Sequence, residues 1–166
     1  MARFAVNTHR IDPYRISKFQ VILDGRVVPD VVRVGALRRE TETVLYRAGD
    51  FPNHLVKAPG LTDFDPIVIE RGITHDTTFE DWAELCYSVQ GDAAISLKTF
   101  RKDMLINLLN RQGTVVLSYR VYRAWVSEYT ALPDLDAHAN DTAVESITIQ
   151  HEGWERDKSV SEPASR

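Results

Sequence analysis

Residues 65–89 carry the one long helical period in this chain, while the rest alternates as strands do or is broken by turn residues. That imbalance limits the fold more than any other feature, because a lone helix must cover a sheet assembled from everything else. Pro66 closes the incoming loop, and Ile67, Val68 and Ile69 are β-branched and read as a buried strand that Gly72 stops or bends. Thr77 with Glu80, and Thr78 with Asp81, have the spacing at which a side-chain oxygen accepts from a backbone N–H one turn inside a helix, so the helix is predicted to start near Thr77. Phe79, Trp82, Leu85, Cys86 and Val89 then fall on one face for burial, with Glu80, Asp81 and Glu84 on the other.

The remaining elements are extended. Phe19, Val21 and Leu23 share a strand face, and Asp24-Gly25 is a two-residue hairpin signal before Val27 and Val28 return. Pro29 interrupts, and Val31 to Val34 resume as an edge or bulged strand. Residues 103–109 form a strand with Met104, Ile106 and Leu108 on one face, and Arg111-Gln112-Gly113 turns the chain into the clearest strand of all. There Val115, Leu117, Tyr119 and Val121 alternate with Val116, Ser118, Arg120 and Tyr122. An irregularity is expected at Arg123-Ala124, and the last strand carries Ile147 and Ile149 against Ser146, Thr148 and Gln150. Composition divides the chain into a flexible segment at 1–13, one domain at 14–155 and a disordered polar tail at 156–166.

At 166 residues, 43% hydrophobic and 27% charged, the chain suits a single domain that buries roughly two-thirds of its unfolded surface. A formal charge of −4 argues against a sequence-independent nucleic-acid binder, which needs clustered Lys and Arg. The single cysteine, Cys86, excludes an internal disulfide framework and reads as a small buried hydrophobe. With no signal-peptide run and no apolar stretch of roughly 20 residues, the expectation is cytoplasmic synthesis, with release by lysis or as part of a particle.

No catalytic, cofactor-binding or metal-binding residue is assigned. His9, His54, His75, His138 and His151 lack zinc-ligand spacing and cysteine companions. Neither GxGxxG nor GxxxxGK[ST] occurs, Ser88 and Ser118 lack the GxSxG elbow, and Glu80, Asp81 and Glu84 are explained as a solvated helix face. The absence of every such motif, with a mostly antiparallel strand pattern, favours a structural role over an enzyme.

Residues 38–46, RRETETVLY, look extended yet offer little to a core, since Arg38, Glu40 and Glu42 alternate with Arg39, Thr41 and Thr43. Such a strand is either a solvated edge or one whose backbone pairs with another subunit. Residues 47–65 follow as a long irregular excursion with Gly49, Pro52, Pro59 and Gly60, in which Leu55, Val56 and Leu61 provide docking groups.

Several of these stretches together resemble the tail-tube family of contractile phages and the related extracellular contractile injection systems, which are in turn related to the type VI secretion inner tube. The matching pieces are FQVILDG at 19–25, Tyr46 with Gly49, KAPGL at 57–61, IVIERGITHDTTFEDW at 67–82 and YTALPDLDAHANDTAVESITIQHEGWER at 129–156. The resemblance implies a mainly β protein, a partly closed antiparallel β barrel or sandwich with one flanking helix, whose hexameric rings stack into a hollow tube inside a contractile sheath. It also implies partners: other copies of the chain, sheath, baseplate and tube-terminator proteins, and effector cargo or DNA in the lumen. Cofactors are not implied. Self-assembly is then expected of Arg39, Glu40, Thr41, Glu42, Thr43, Val44 and Tyr46 in the polar strand, and of His54, Leu55, Val56 and Lys57 in the excursion. The hairpin strands at 102–109 and 115–122 are expected to form the intersubunit sheet. The competing possibility is a monomeric β barrel holding a small molecule inside.

Overall fold

The computed structural model describes residues 18–47, 49, 55–87, 99–138 and 141–161. The N-terminal segment 1–13, His54, Val89 and the helix end expected at Gly91-Asp92 lie outside these residues. Among the described residues, ten strands and one helix follow in order: β1 Phe19–Leu23, β2 Arg26–Val28, β3 Val31–Val34, β4 Arg39–Tyr46, β5 Val56–Phe64, β6 Ile67–Gly72, α1 Thr78–Glu84, β7 Lys102–Leu109, β8 Val115–Thr130, β9 Val144–Gln150 and β10 Gly153–Arg156.

The hairpin expected at Asp24-Gly25 forms because both residues take positive φ, 51° and 76°, the geometry that matches strand twist across a two-residue turn. The main sheet runs β2-β1-β7-β8-β9-β6-β3, with β10 also paired to β8. Its two ends, β2 and β3, are joined by Pro29 and Asp30 alone, so the sheet must curl until its ends lie side by side. They are not paired to each other, which leaves a partly closed antiparallel barrel.

Strand β8 contributes to both faces of the curled sheet. β8 is 16 residues long, and its first part pairs with β7 and β10 while its second part pairs with β9. Arg123 lies between them at φ 51°, where the register with β7 shifts, and its N–H donates to Asp103 Oδ1 at 3.0 Å. This is the irregularity expected at Arg123-Ala124, and it lets one strand serve two sheet faces.

Apolar side chains fill the interior: Ile67, Ile69, Val121, Ala124, Ile147 and Ile149 are at most 1% exposed, as are Phe79, Trp82 and Met104. A hollow of about 930 Å³ lies outside this core, lined by charged groups that include Arg39, Arg120, Arg156 and Lys158. A packed interior of this kind is not a ligand cavity, so the small-molecule barrel lacks support.

The helix is shorter than its period suggests. It ends at Glu84, with Leu85 and Cys86 in a half-buried turn, and only Phe79 and Trp82 are buried along it. Apolar spacing records which side chains face the core, and a single hydrogen-bonded turn after Glu84 satisfies the same spacing without helix. Its start also differs in detail. Thr77 makes no capping bond to the backbone and instead donates its hydroxyl to Asp81 Oδ2 at 3.0 Å. Asp76 takes the capping role, its Oδ1 accepting from the Thr78 N–H at 2.8 Å and from the Thr78 hydroxyl. Those bonds, the hydroxyl's first, hold the Asp76 carboxyl below its ordinary range.

A charged pair is buried with the core. Arg71 on β6 is fully buried, donates from Nε to Glu145 on β9 and from a terminal nitrogen to the Asp76 carbonyl, and lies with its guanidinium carbon 4.3 Å from the centre of the Phe79 ring. Tyr129 on β8 donates to the other Glu145 oxygen at 3.0 Å. Three strands and the helix start therefore meet at one guanidinium.

Burial, then the bond to Glu145, pushes the Tyr129 phenol up from 10.0 to about 12. A phenol whose folded pKa is raised favours the protonated form, so its contribution is complete below about pH 10 and is lost as pH rises through about 12. Tyr129→Phe is expected to flatten that loss. Thermal melts from about pH 9 to about pH 12 should fall more steeply for the parent, and parallel curves would contradict the assignment.

Candidate functional site

Two strands stand apart from the barrel. β4 and β5 pair only with each other, antiparallel, as a two-stranded arm in which every residue of β4 is exposed. This corrects the irregular excursion expected at 47–65, because 56–64 is strand. Val56, Ala58 and Lys57 already alternate, but Pro59 and Gly60 conceal the period. The pair tolerates them at a bulge. Register shifts between Thr41↔Thr62 and Thr43↔Pro59, placing Gly60 and Leu61 opposite Glu42. A Cβ on Gly60 would lie 3.0 Å from Val44 Cγ2 and 3.2 Å from the Glu42 carbonyl oxygen, so the strands cross closely there because that residue has no side chain.

The register sorts the arm into two faces. One carries Glu40, Glu42 and Asp63 towards the barrel and Val44, Tyr46, Val56 and Ala58 towards the tip. The other carries Arg39, Thr41, Thr62 and Phe64 towards the barrel and Thr43, Leu45, Lys57 and Pro59 towards the tip. Thr41 and Thr62 hydroxyls bond across the strands at 2.8 Å. Val44, Leu45, Tyr46, Leu55 and Leu61 are exposed by 45%, 54%, 49%, 56% and 82%. The expected polarity on both faces thus holds near the barrel, while the tip has an apolar face built jointly by the two strands.

Of the residues expected to act in assembly, Arg39, Glu40, Thr41, Glu42, Thr43, Val44 and Tyr46 lie on β4, Val56 and Lys57 open β5, and Leu55 immediately precedes it. The structure brings them onto one arm, and His54 is outside the described residues. Leu61, expected as a docking group, lies on the same arm, and so do Leu45, on the face opposite Val44 and Tyr46, and Ala58, which the Pro-Gly pair concealed.

At its base the arm is held by the Asp65 N–H donating to the Arg38 carbonyl at 3.1 Å and by the Arg38 guanidinium on Asp65 at 3.0 Å and Glu40 at 2.8 Å. These ion pairs are exposed and add little stability individually. Arg39 also lies 5.8 Å from the Trp154 ring centre.

Strand edges also decide which elements can pair with another chain. β7 is flanked by β1 at residues 104–108 and by β8, and β8 is flanked by β7 and, at residues 119–122, by β10, so most of the central hairpin has both edges occupied within the subunit. Among the described residues, β2, β3, β4, β5 and β10 each have an unpaired edge. The central hairpin is therefore the middle of a run β2-β1-β7-β8-β10, whose open outer edges are those of β2 and β10. Among the described residues, no group of three or more His, Cys, Asp or Glu is placed to hold a metal, and no helix is long and apolar enough to cross a membrane.

The chain matches solved structures over most of its length. It is 26% identical, with a TM-score of 0.71, to a chain of the extracellular contractile injection system PVC sheath-tube complex in its extended state, covering 87% of this chain and 91% of that one. Against the tube-terminating cap of the anti-feeding prophage the values are 27% and 0.75, covering 95% and 99%. Hcp1 from Flavobacterium johnsoniae, at 16% identity and a TM-score of 0.55 over 84% and 94%, shares the fold. No curated protein sequence gives a significant match. The family model described as the T4-like virus tail tube protein gp19 matches residues 16–155, which takes in α1 and every strand but for the last residue of β10. With that match over nearly the whole fold, the chain belongs to the T4-like virus tail tube protein family.

Proposed function

We propose that this chain is an inner-tube subunit of a contractile injection apparatus, that six copies close into a ring, and that the arm of β4 and β5 joins one copy to the next. The observation that carries the reading is that arm: a paired ribbon, exposed along all of β4, with an apolar tip and open edges. A two-stranded ribbon in water is marginal by itself, and a contiguous apolar surface marks a contact site. A second copy supplies the missing cover, and edges spent on a copy are no longer open to aggregation.

Rings of this subunit stack into a hollow conduit within a sheath, with a baseplate at one end and a terminator at the other. Neighbouring folds occur in a sheath-tube complex, a baseplate and a tube-terminating cap, which supports those partners. The work is mechanical, a wall around delivered cargo or DNA, and no catalytic step is assigned to any residue.

Purified protein should form rings or stacked tubes in negative-stain electron microscopy and sediment as a species several times its 18.9 kDa subunit. Single particles of subunit size at high concentration, with no higher species, would overturn the reading.

A further inference from the structure

Where the arm leaves the barrel, three consecutive residues of the opposite strand connection converge on it. The His151 Nε2 lies 3.0 Å from the Asp65 carbonyl oxygen. A carbonyl only accepts, so Nε2 is the donor in this bond, while Nδ1 is buried and has no hydrogen-bond partner among the described residues. The imidazole also lies against the Phe64 ring, centroids 5.7 Å apart and tilted by 54°. Gly153 has φ 147°, a backbone conformation that favours glycine, and packs in van der Waals contact with Phe64, whose Cζ lies 3.4 Å from where a Cβ would stand. Between them the Glu152 N–H donates to the Tyr122 carbonyl at 3.1 Å and its carboxylate pairs with Arg123 at 3.1 Å, at the bend of β8.

We infer that His151, Glu152 and Gly153 form a socket that fixes the direction of the arm relative to the barrel. Phe64 and Asp65 are the last residues of the arm and the first of the link to β6, so two contacts there set the angle of everything beyond. Glu152 ties the socket to the bend that shapes the barrel, which makes arm direction and barrel curvature one geometric unit. His151 is a positioning residue. Its bond and ring contact restrict the arm to one angle, and an arm with one angle meets the next copy without first losing orientational freedom. The consequence for assembly rests on the tube-subunit reading; the socket itself does not.

The test uses spin labels on cysteines placed at Leu61 in the arm and Arg111 in the barrel turn, in the full chain with Cys86→Ala. Val44→Lys with Tyr46→Lys keeps the subunits apart. Electron–electron distances should be narrowly distributed in this background and in His151→Gln, whose amide nitrogen can donate to Asp65. They should broaden in His151→Leu and, from the arm side, in Phe64→Leu. In the assembly-competent parent, His151→Leu should raise the concentration needed for rings by about tenfold, the size of losing one hydrogen bond from each contact, and His151→Gln should restore it. Unchanged distributions in both His151→Leu and Phe64→Leu would overturn the socket whatever the rings do. A response of the distances in a chain whose parent never forms rings would support the socket and refute the tube reading alone.

Discussion

Replacing Val44 and Tyr46 together with lysine is expected to abolish ring and tube formation while leaving the melting temperature of the subunit within about 2 °C of the parent. Both side chains lie on the same face of the arm towards its tip, opposite Ala58 and Val56, and are 45% and 49% exposed in the single chain. Their apolar surface is available for burial against another copy, worth about 1.5 to 3 kcal/mol for each such side chain fully covered. Since about half of each side chain is still exposed, losing both weakens one contact by a factor of about ten to a hundred, and closing a ring multiplies that loss over every contact. The barrel does not use either residue in its core. Sedimentation and electron microscopy read the assembly, and thermal melting reads the fold. Tubes persisting in the double variant would remove the arm from the interface, whereas a large fall in melting temperature would mean that the arm stabilises its own barrel.

Arg71→Met is expected to have the opposite signature, loss of the subunit itself. The guanidinium is 0% exposed and Glu145 is 7% exposed, so removing the cation leaves a carboxylate with no counter-charge in the interior. The cost of breaking such a buried pair is about 3 to 5 kcal/mol, a large share of the roughly 5 to 15 kcal/mol that holds a domain together. In urea the midpoint should fall by about 2 M, taking a slope of about 2 kcal/mol per M. Adding Glu145→Gln should recover much of the loss, because the uncompensated charge disappears while an oxygen remains for the Tyr129 hydroxyl. A single variant that unfolds at the parental midpoint would show that the pair does not bear on stability. Equal losses in the single and double variants would place the cost in packing around Phe79 instead of in charge.

The elements that could be read from the residues are those whose signals are local. Asp24-Gly25 makes its hairpin because positive φ at two adjacent positions is a property of that pair of residues. The strand at 67–72 alternates buried and half-buried positions because period two is written into it, and Phe79 with Trp82 is buried by helical spacing. Strand β5 was not legible, since Pro59 and Gly60 count against a strand everywhere except beside an open edge or a bulge, and only the pairing with β4 supplies both. Arg71 was equally opaque. An arginine inside a β-rich run reads as an outward residue until Glu145, 74 positions later, is brought against it.

The polar strand at 39–46 could be picked out as extended and exposed, because its alternating charged and hydroxyl side chains offer little to a core. Its partner, its apolar tip face and the His151 socket at its base could not. Residue order alone settles a mainly β chain with a single covering helix, its hairpins and most of its core, because rotation about φ and ψ and the alternation of side chains act over a few residues. Tertiary structure decided which strand edges remain open and that two segments from either side of a bulge share one apolar face. It also decided that a charged pair sits inside. Those are properties of residues that meet only after the chain has curled, and no short-range pattern records the meeting.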